Sequence, residues 1–328
     1  MRIAILDDYQ DVALGYADWK GLPGSPEVTV FNDHIARHEL LAATLRPFDV
    51  IVIMRERTAF PASLLALLPN LRLLVTTGMG NASCDMAAAR DQGVTVCGTD
   101  GFPGATAELT WGLLLSLVRH IPAEDQRMRA TAGAGGAAVS SRGGWQRTVG
   151  VSLLGKRLGV VGLGRIGREV SGFGQAFGMQ VAAWSQNLDP DQAREIGVEP
   201  VSKEQLFSRS DVVTIHYKLS PRSTGLVGAA ELRLMKPTAY LVNTSRGPIV
   251  DSSALAAALR SGQIAGAALD VYDTEPLPLG DTLRTLPNTV LTPHLGYVTD
   301  ETYQVFYREA AEDIAAFVNG SPVRVLNG

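Results

Sequence analysis

V-V-G-L-G-R-I-G, residues 160–167, decides the fold. The short apolar run L-G-V-V (158–161) leads straight into three glycines spaced G-x-G-x-x-G. The residues that follow, R-E-V-S-G-F-G-Q-A-F-G (168–178), carry a helical pattern. A glycine triplet alone says little, but one set between a strand and a helix has a mechanism. Gly162 permits the tight turn, Gly164 lets a ligand approach the backbone, and Gly167 lets helix and strand pack closely. The N-terminus of the helix then offers unpaired N–H groups to a pyrophosphate. We therefore expect a dinucleotide-binding unit, with Gly162, Gly164, Arg165, Ile166 and Gly167 against the cofactor.

The same alternation extends in both directions. Continuous apolar runs occur at 3–6, 28–31, 50–54, 73–77 and 94–97, and again at 158–161, 181–184, 212–216, 240–243, 267–271 and 290–292. Helical patterns lie between them, as at 62–69, 85–93 and 252–262. Uninterrupted apolar strands alternating with helices indicate parallel sheets covered on both faces. Two such series predict an α/β protein of two doubly wound, Rossmann-like and flavodoxin-like domains with a cleft between them. A length of 328 residues allows two cores. The apolar segment 106–120 predicts a long helix. A Gly/Ala/Ser-rich stretch at 130–144 reads as a surface loop, or else as a dimer arm or a segment near the mouth of the active site. The final pattern, 300–318, predicts a helix able to return to the first domain.

Composition narrows the class. Hydrophobic residues make up 46% and charged residues 19%, with a formal net charge of −4 and no basic block. This is an ordinary globular balance, and it points away from nucleic acid and anionic membranes as partners. Cys84 and Cys97 have neither disulfide-framework nor zinc spacing, so we expect no metal and a reducing compartment. The chain opens directly on a strand, without a leader pattern or a membrane-length apolar run, which makes the cytoplasm the expected location.

Three residues behind the glycine motif carry chemistry. Arg246 lies in N-T-S-R-G-P-I-V-D (243–251), Glu275 in A-L-D-V-Y-D-T-E-P-L (268–277) and His294 in T-P-H-L-G-Y (292–297). Each follows a strand, at the end where open α/β sheets place their ligands. Singly, they read as a surface cation, a solvated carboxylate and an ordinary histidine. Together they supply what reduction of a 2-keto acid needs. A planar cation grips carboxylate and carbonyl, an imidazole delivers the proton, and a carboxylate fixes the tautomer of that imidazole.

The segments G-K-R-L-G-V-V-G-L-G-R-I-G, L-V-N-T-S-R-G-P-I-V-D, A-L-D-V-Y-D-T-E-P and T-P-H-L-G resemble the D-isomer-specific 2-hydroxyacid dehydrogenase family over nearly the whole chain. That family includes glyoxylate/hydroxypyruvate reductases and phosphoglycerate dehydrogenase. The resemblance implies His294 as acid/base, Glu275 as its partner, and Arg246 as the group that binds substrate carboxylate and carbonyl. It also implies that T-T-G-M-G-N-A-S-C-D (76–85) grips the carboxylate through the backbone at Met79 and Gly80. A homodimer is implied too, with a substrate-binding domain split over 1–100 plus 298–328 and a dinucleotide domain over 101–297. Glu rather than Gln at 275 sets the chain apart from the formate dehydrogenases of the family. Ala82, Lys218 and Tyr297 depart from common family residues and bear on pocket shape. M-R-E-R-T (54–58) ends the third strand, so Arg55 or Arg57 faces the cleft, surface charge being the other reading. We count Arg57 with the substrate residues.

At the adenosine end, the strand 181–184 is followed by Ser185, Gln186 and Asn187, where an NAD-selective site carries an acid. The charge that repels a 2′-phosphate is missing. We expect both NAD and NADP to be used, NADPH at least as well as NADH. His216, Thr244, Ser245, Asp270 and Gly296 complete the expected cofactor set. The expected activity is NAD(P)-dependent interconversion of a small 2-keto acid and its D-2-hydroxy acid. The alternatives are a nucleotide-sensing, corepressor-like binding protein and a phosphoglycerate dehydrogenase of serine synthesis.

Overall fold

A computed structural model describes residues 1–131 and 146–328. The expectation for the Gly/Ala-rich stretch falls, from residue 132 on, outside the described residues. The chain forms two compact units, Met1–Pro103 with Tyr297–Gly328, and Gly104–Gly296.

The first unit has strands β1 (Arg2–Ile5), β2 (Glu27–Val30), β3 (Val50–Ile53), β4 (Leu73–Thr76) and β5 (Thr95–Gly98). They form one parallel sheet in the order β2-β1-β3-β4-β5. The V-I-V-I run of β3 is buried along its length because both of its faces are covered. Ile51 and Ile53 pack with Leu41, Leu45, Leu64 and Leu65 on one side. Val50 and Val52 pack with Tyr303, Phe306, Tyr307 and Ile314 on the other. The period of two assigns alternate residues to the two layers. The second layer is the C-terminal helix Asp300–Val318, which belongs to this unit. Thr299 caps it by accepting from the Thr302 N–H at 3.3 Å.

The second unit has β6 (Arg157–Val161), β7 (Gln180–Trp184), β8 (Glu199–Pro200), β9 (Val212–Ile215), β10 (Tyr240–Asn243), β11 (Gly266–Leu269) and β12 (Thr289–Leu291). Their order is β12-β11-β10-β9-β6-β7-β8, again parallel. Val161, Val213, Ile215 and Leu241 face one core; Leu158, Val160, Val212 and Val242 face the other. The strand order reverses between β6 and β9 here, and between β1 and β3 in the first unit. At such a reversal, doubly wound sheets hold their ligands at the carboxyl ends of the strands.

Candidate active site

The glycine turn shows three different uses of a missing side chain. Gly162 has φ of 94° in the left-handed region, and a Cβ there would meet the His216 carbonyl oxygen at 2.6 Å. A Cβ on Gly167 would meet the Gly162 carbonyl oxygen at 2.1 Å, so helix and turn pack too closely for any side chain. At Gly164 nothing lies within 4 Å of where a Cβ would be. The helix Arg165–Ala176 starts there, and its first N–H groups have no partner within the helix. Open space before an N-terminus, beside a turn that tolerates only glycine, fits a dinucleotide pyrophosphate. Arg165 lies 3.5 Å from Glu169 and is largely exposed.

Beyond β7, Trp184 stacks on Tyr217 with centroids 6.1 Å apart. The Gln186 N–H donates to the Tyr217 hydroxyl at 3.4 Å. His216 lies at the end of β9, with Nε2 2.8 Å from the Thr214 hydroxyl oxygen. Burial pushes its imidazole down to about 3, so the ring is neutral at physiological pH.

On the other side of the sheet, the chemistry-bearing residues come from three adjacent strands. Arg246 follows β10, Glu275 follows β11 and His294 follows β12. The strand ends are in register, Asn243 opposite Leu269 and Leu269 opposite Leu291. The buried Asn243 shapes the first loop: its Nδ2 donates to the Arg246 carbonyl at 3.0 Å and its Oδ1 accepts from Ser245 N–H at 3.0 Å. Arg246 Nη1 donates to the Ser245 carbonyl at 2.8 Å. Ser245 donates its hydroxyl to the Tyr217 carbonyl, and the Thr244 hydroxyl lies 2.8 Å from that of Thr110.

Gly247 brings the first loop against the second. A Cβ there would lie 2.0 Å from the Tyr272 carbonyl carbon and 2.5 Å from Asp273 N. The Tyr272 hydroxyl shares its one proton between the carbonyls of Leu269 (3.1 Å) and Thr292 (2.9 Å), tying the second loop to the third. Glu275 Oε1 accepts from the Tyr272 N–H at 2.9 Å, and its Oε2 lies 2.6 Å from His294 Nδ1. One carboxylate oxygen is thus fixed by the backbone, and the other engages the imidazole and sets its tautomer.

Asp270 organises the His294 loop. Its carboxylate is fully buried and accepts from Thr292 Oγ1 at 2.6 Å, Leu295 N–H at 2.7 Å and Gly296 N–H at 2.8 Å. Its carbonyl accepts from the His294 N–H at 2.8 Å. Burial pushes its pKa up, while the hydroxyl, the two N–H groups and His294 pull it back. His294 itself has φ of 54°, which a non-glycine residue keeps only where its surroundings insist on it.

In the first unit, Gly78 (φ 91°) turns the chain after β4 and leaves Met79 and Gly80 exposed. At Gly80 nothing lies within 4 Å of a Cβ position. Arg57 follows β3 and is enclosed by tyrosines. Its guanidinium carbon lies 4.4 Å from the ring centroid of Tyr9 and 5.6 Å from that of Tyr297. This packing leaves the Arg57 side chain half-buried. Sequence reasoning missed Asn243, Tyr272 and Tyr9, whose residue types alone look like an ordinary turn, core residue and surface residue. Among the described residues no three His, Cys, Asp or Glu side chains gather as a metal site, and no helix is long and apolar enough to cross a membrane.

Residues 111–296 match the family model described as D-isomer specific 2-hydroxyacid dehydrogenase, NAD binding domain. The chain belongs to this family. The dehydrogenase is 38% identical to a glyoxylate reductase of Aeropyrum pernix over 295 residues, 88% of this chain and 86% of that one. It is 33% identical to a D-3-phosphoglycerate dehydrogenase of Archaeoglobus fulgidus over 99% of its own length, but it spans only 58% of that longer relative. Its fold is similar to a solved phosphoglycerate oxidoreductase from Vibrio cholerae, with a TM-score of 0.90, 37% identity and coverage of 98% of this chain and 100% of the other. Two parallel α/β units, a nicotinamide-cofactor motif and this kinship make the protein an NAD(P)-dependent oxidoreductase that interconverts 2-keto and D-2-hydroxy acids.

Proposed function

We propose that the dehydrogenase reduces a small 2-keto acid, glyoxylate being the simplest, with His294 as proton donor and Arg246 as the group that orients the substrate. The observation that carries this is the 2.6 Å contact between His294 Nδ1 and Glu275, held by three loops that Gly247 and Tyr272 lock together. Bound nicotinamide dinucleotide supplies the hydride. Arg246 offers a permanently charged, planar fork to the carboxylate and polarises the carbonyl. With Nδ1 committed to Glu275, the other ring nitrogen of His294 carries the proton that moves to the carbonyl oxygen. Glu275 stabilises the imidazolium before transfer and keeps the ring aimed. Asp270 acts through the loop, as a positioning residue. Met79 and Gly80 add backbone N–H groups to the carboxylate. A homodimer is the proposed assembly, to be checked by light scattering. Initial rates with a panel of 2-keto acids, each with NADH and NADPH, test the reading; a folded protein that reduces none of them refutes it.

The proposed cofactor use is dual, NADPH at least as good as NADH. Ser185, Gln186 and Asn187 place no carboxylate after β7, so nothing in that turn repels a 2′-phosphate. Ser185→Asp is expected to shift the kcat/KM ratio towards NADH, because a carboxylate accepts from ribose hydroxyls and repels phosphate. A parent that favours NADH tenfold contradicts this.

A further inference from the structure

β5 lies at the edge of the sheet in the first unit, and residues 324–327 run antiparallel along it. The Gly98 N–H donates to the Arg324 carbonyl at 3.0 Å, and the Leu326 N–H to the Val96 carbonyl at 2.8 Å. The buried Asn327 adds its side chain: Oδ1 accepts from the Val96 N–H and Nδ2 donates to the Val94 carbonyl, both at 2.9 Å. Leu326 packs against the core of this unit. The segment is a strap that satisfies an edge otherwise open to pairing. Cys97, fully buried, lies opposite Val325.

One arginine fastens the strap to the helix Asp300–Val318. Arg324 has φ of 50°, which a non-glycine residue keeps only under constraint. Its Nε donates to Asp313 Oδ1 at 3.0 Å, and its Nη2 to the Glu309 carbonyl at 2.9 Å and to Glu312 Oε2 at 3.1 Å. Glu309 Oε2 lies 3.9 Å from Arg324 Nε and accepts from the Asp100 N–H at 2.7 Å. The exposed Arg308 lies 3.8 Å from Glu309 and 3.7 Å from Glu312. Three carboxylates therefore face Arg324, and Asp313 differs from the other two. Its side chain is fully buried, and its Oδ2 has no hydrogen-bond partner among the described residues. An ionised oxygen there is costly, because no donor replaces the water it has lost. A proton removes the charge and still lets Oδ1 accept from Arg324. Burial, with Glu309 and Glu312 adding to it, outweighs Arg324 and pushes the Asp313 carboxyl up to about 7. From β5, Cys97 faces the same group; burial pushes its thiol up to about 12, so it brings no charge.

We propose that Asp313 is a proton-operated latch on this strap. Protonated, it holds residues 324–327 on the edge of β5; ionised, it favours their release, which uncovers that edge and Cys97. When the strap opens, the carboxyl reaches water and titrates near ~3.9. The closed strap therefore binds the proton more tightly than the open one. Its advantage is greatest at low pH and is lost as pH rises through about 7. The latch lies wholly within the first unit and is independent of the reaction proposed above.

Amide hydrogen exchange on the full chain tests this. The Val96, Gly98 and Leu326 amides join strap and edge, and the amides of β3 serve as the internal reference. After division by intrinsic exchange rates, protection of the three is expected to fall roughly tenfold between pH 6 and pH 8.5 in the parent, while β3 changes little. In Asp313→Asn, neutral at every pH, that fall is expected to vanish. Arg324→Gln removes the cation that favours ionised Asp313, so its fall should move to higher pH. Alkylation of Cys97 by N-ethylmaleimide, read by peptide mass spectrometry and divided by the rate for the unfolded chain at each pH, should follow the same order. Thermal melting checks that the variants fold. Protection that does not change with pH in the parent overturns the proposal, and so does a fall of parental size in Asp313→Asn. If Asp313→Asn does not fold, an Arg324→Gln profile that coincides with the parent's overturns it instead.

Discussion

The two sheets have the same architecture and treat charge at their carboxyl ends differently. After β10, β11 and β12, the charged groups are engaged by one another and by the backbone: Asp270 by three donors, Glu275 by Tyr272 N–H and His294. After β1 and β3, Arg57 is held by neutral oxygens and rings alone. The lesson is that a strand end only supplies the position. A closed set of partners fixes the protonation state and geometry of a reacting group.

If the locked loops make the first region, unlocking them should cost most. Gly247→Ala places a methyl group against the Tyr272–Asp273 backbone, which cannot yield as a side-chain end could. Arg246 and Glu275 would then separate. Displacement of about 1 Å in a catalytic group can cost roughly a hundredfold, and a loss of that size in kcat/KM is expected, with cofactor affinity retained. Parental kinetics in Gly247→Ala would show that the close approach is incidental.

A smaller effect is expected at Asp270. In Asp270→Asn a single amide oxygen faces three donors that two carboxylate oxygens now satisfy. Leaving a buried donor unsatisfied costs about 1–3 kcal/mol, and chemical denaturation should show a loss in that range. Because Asp270 touches the loop and not the His294 ring, kcat should fall less than in variants of His294. An undiminished stability would mean that the loop holds itself.

The smallest predicted effect concerns His216. Its imidazole is neutral in the folded state down to about pH 3 and titrates near 6.5 when unfolded. The unfolded chain therefore binds the extra proton first, and stability is lost as pH falls below about 6.5. The side chain keeps some exposure, so the loss between pH 7 and 5 is expected to be on the order of 1–2 kcal/mol. His216→Asn should flatten that part of the stability–pH curve. An identical slope in parent and variant would assign the acid sensitivity elsewhere.

Much of this was readable before the fold was known, and the exceptions have physical causes. The last helix is expected at 300–318 and spans Asp300–Val318, because a long helical pattern is a strong signal. The strands came within one or two residues, since fully buried parallel strands are nearly pure apolar runs. β8 was not foreseen: Glu199–Pro200 is a two-residue edge strand with no period to detect. The reacting trio stood out because each member follows a strand. The enclosure of Arg57 did not, because Tyr9 reads as a surface residue and Tyr303 as one face of a helix. The role of Gly247 was hidden as well. A glycine beside a proline looks like an ordinary turn until the neighbouring backbone is seen to fill the space of its missing Cβ.

The central claim is that His294, aimed by Glu275, carries the proton of the reaction. The direct measurement is kcat for His294→Ala with the best 2-keto acid, alongside the dissociation constant for cofactor. A fall in kcat of roughly a hundredfold or more, the usual scale for loss of a general acid, with cofactor affinity within a few-fold of the parent, is the result expected. Near-parental turnover in that folded variant would contradict the account.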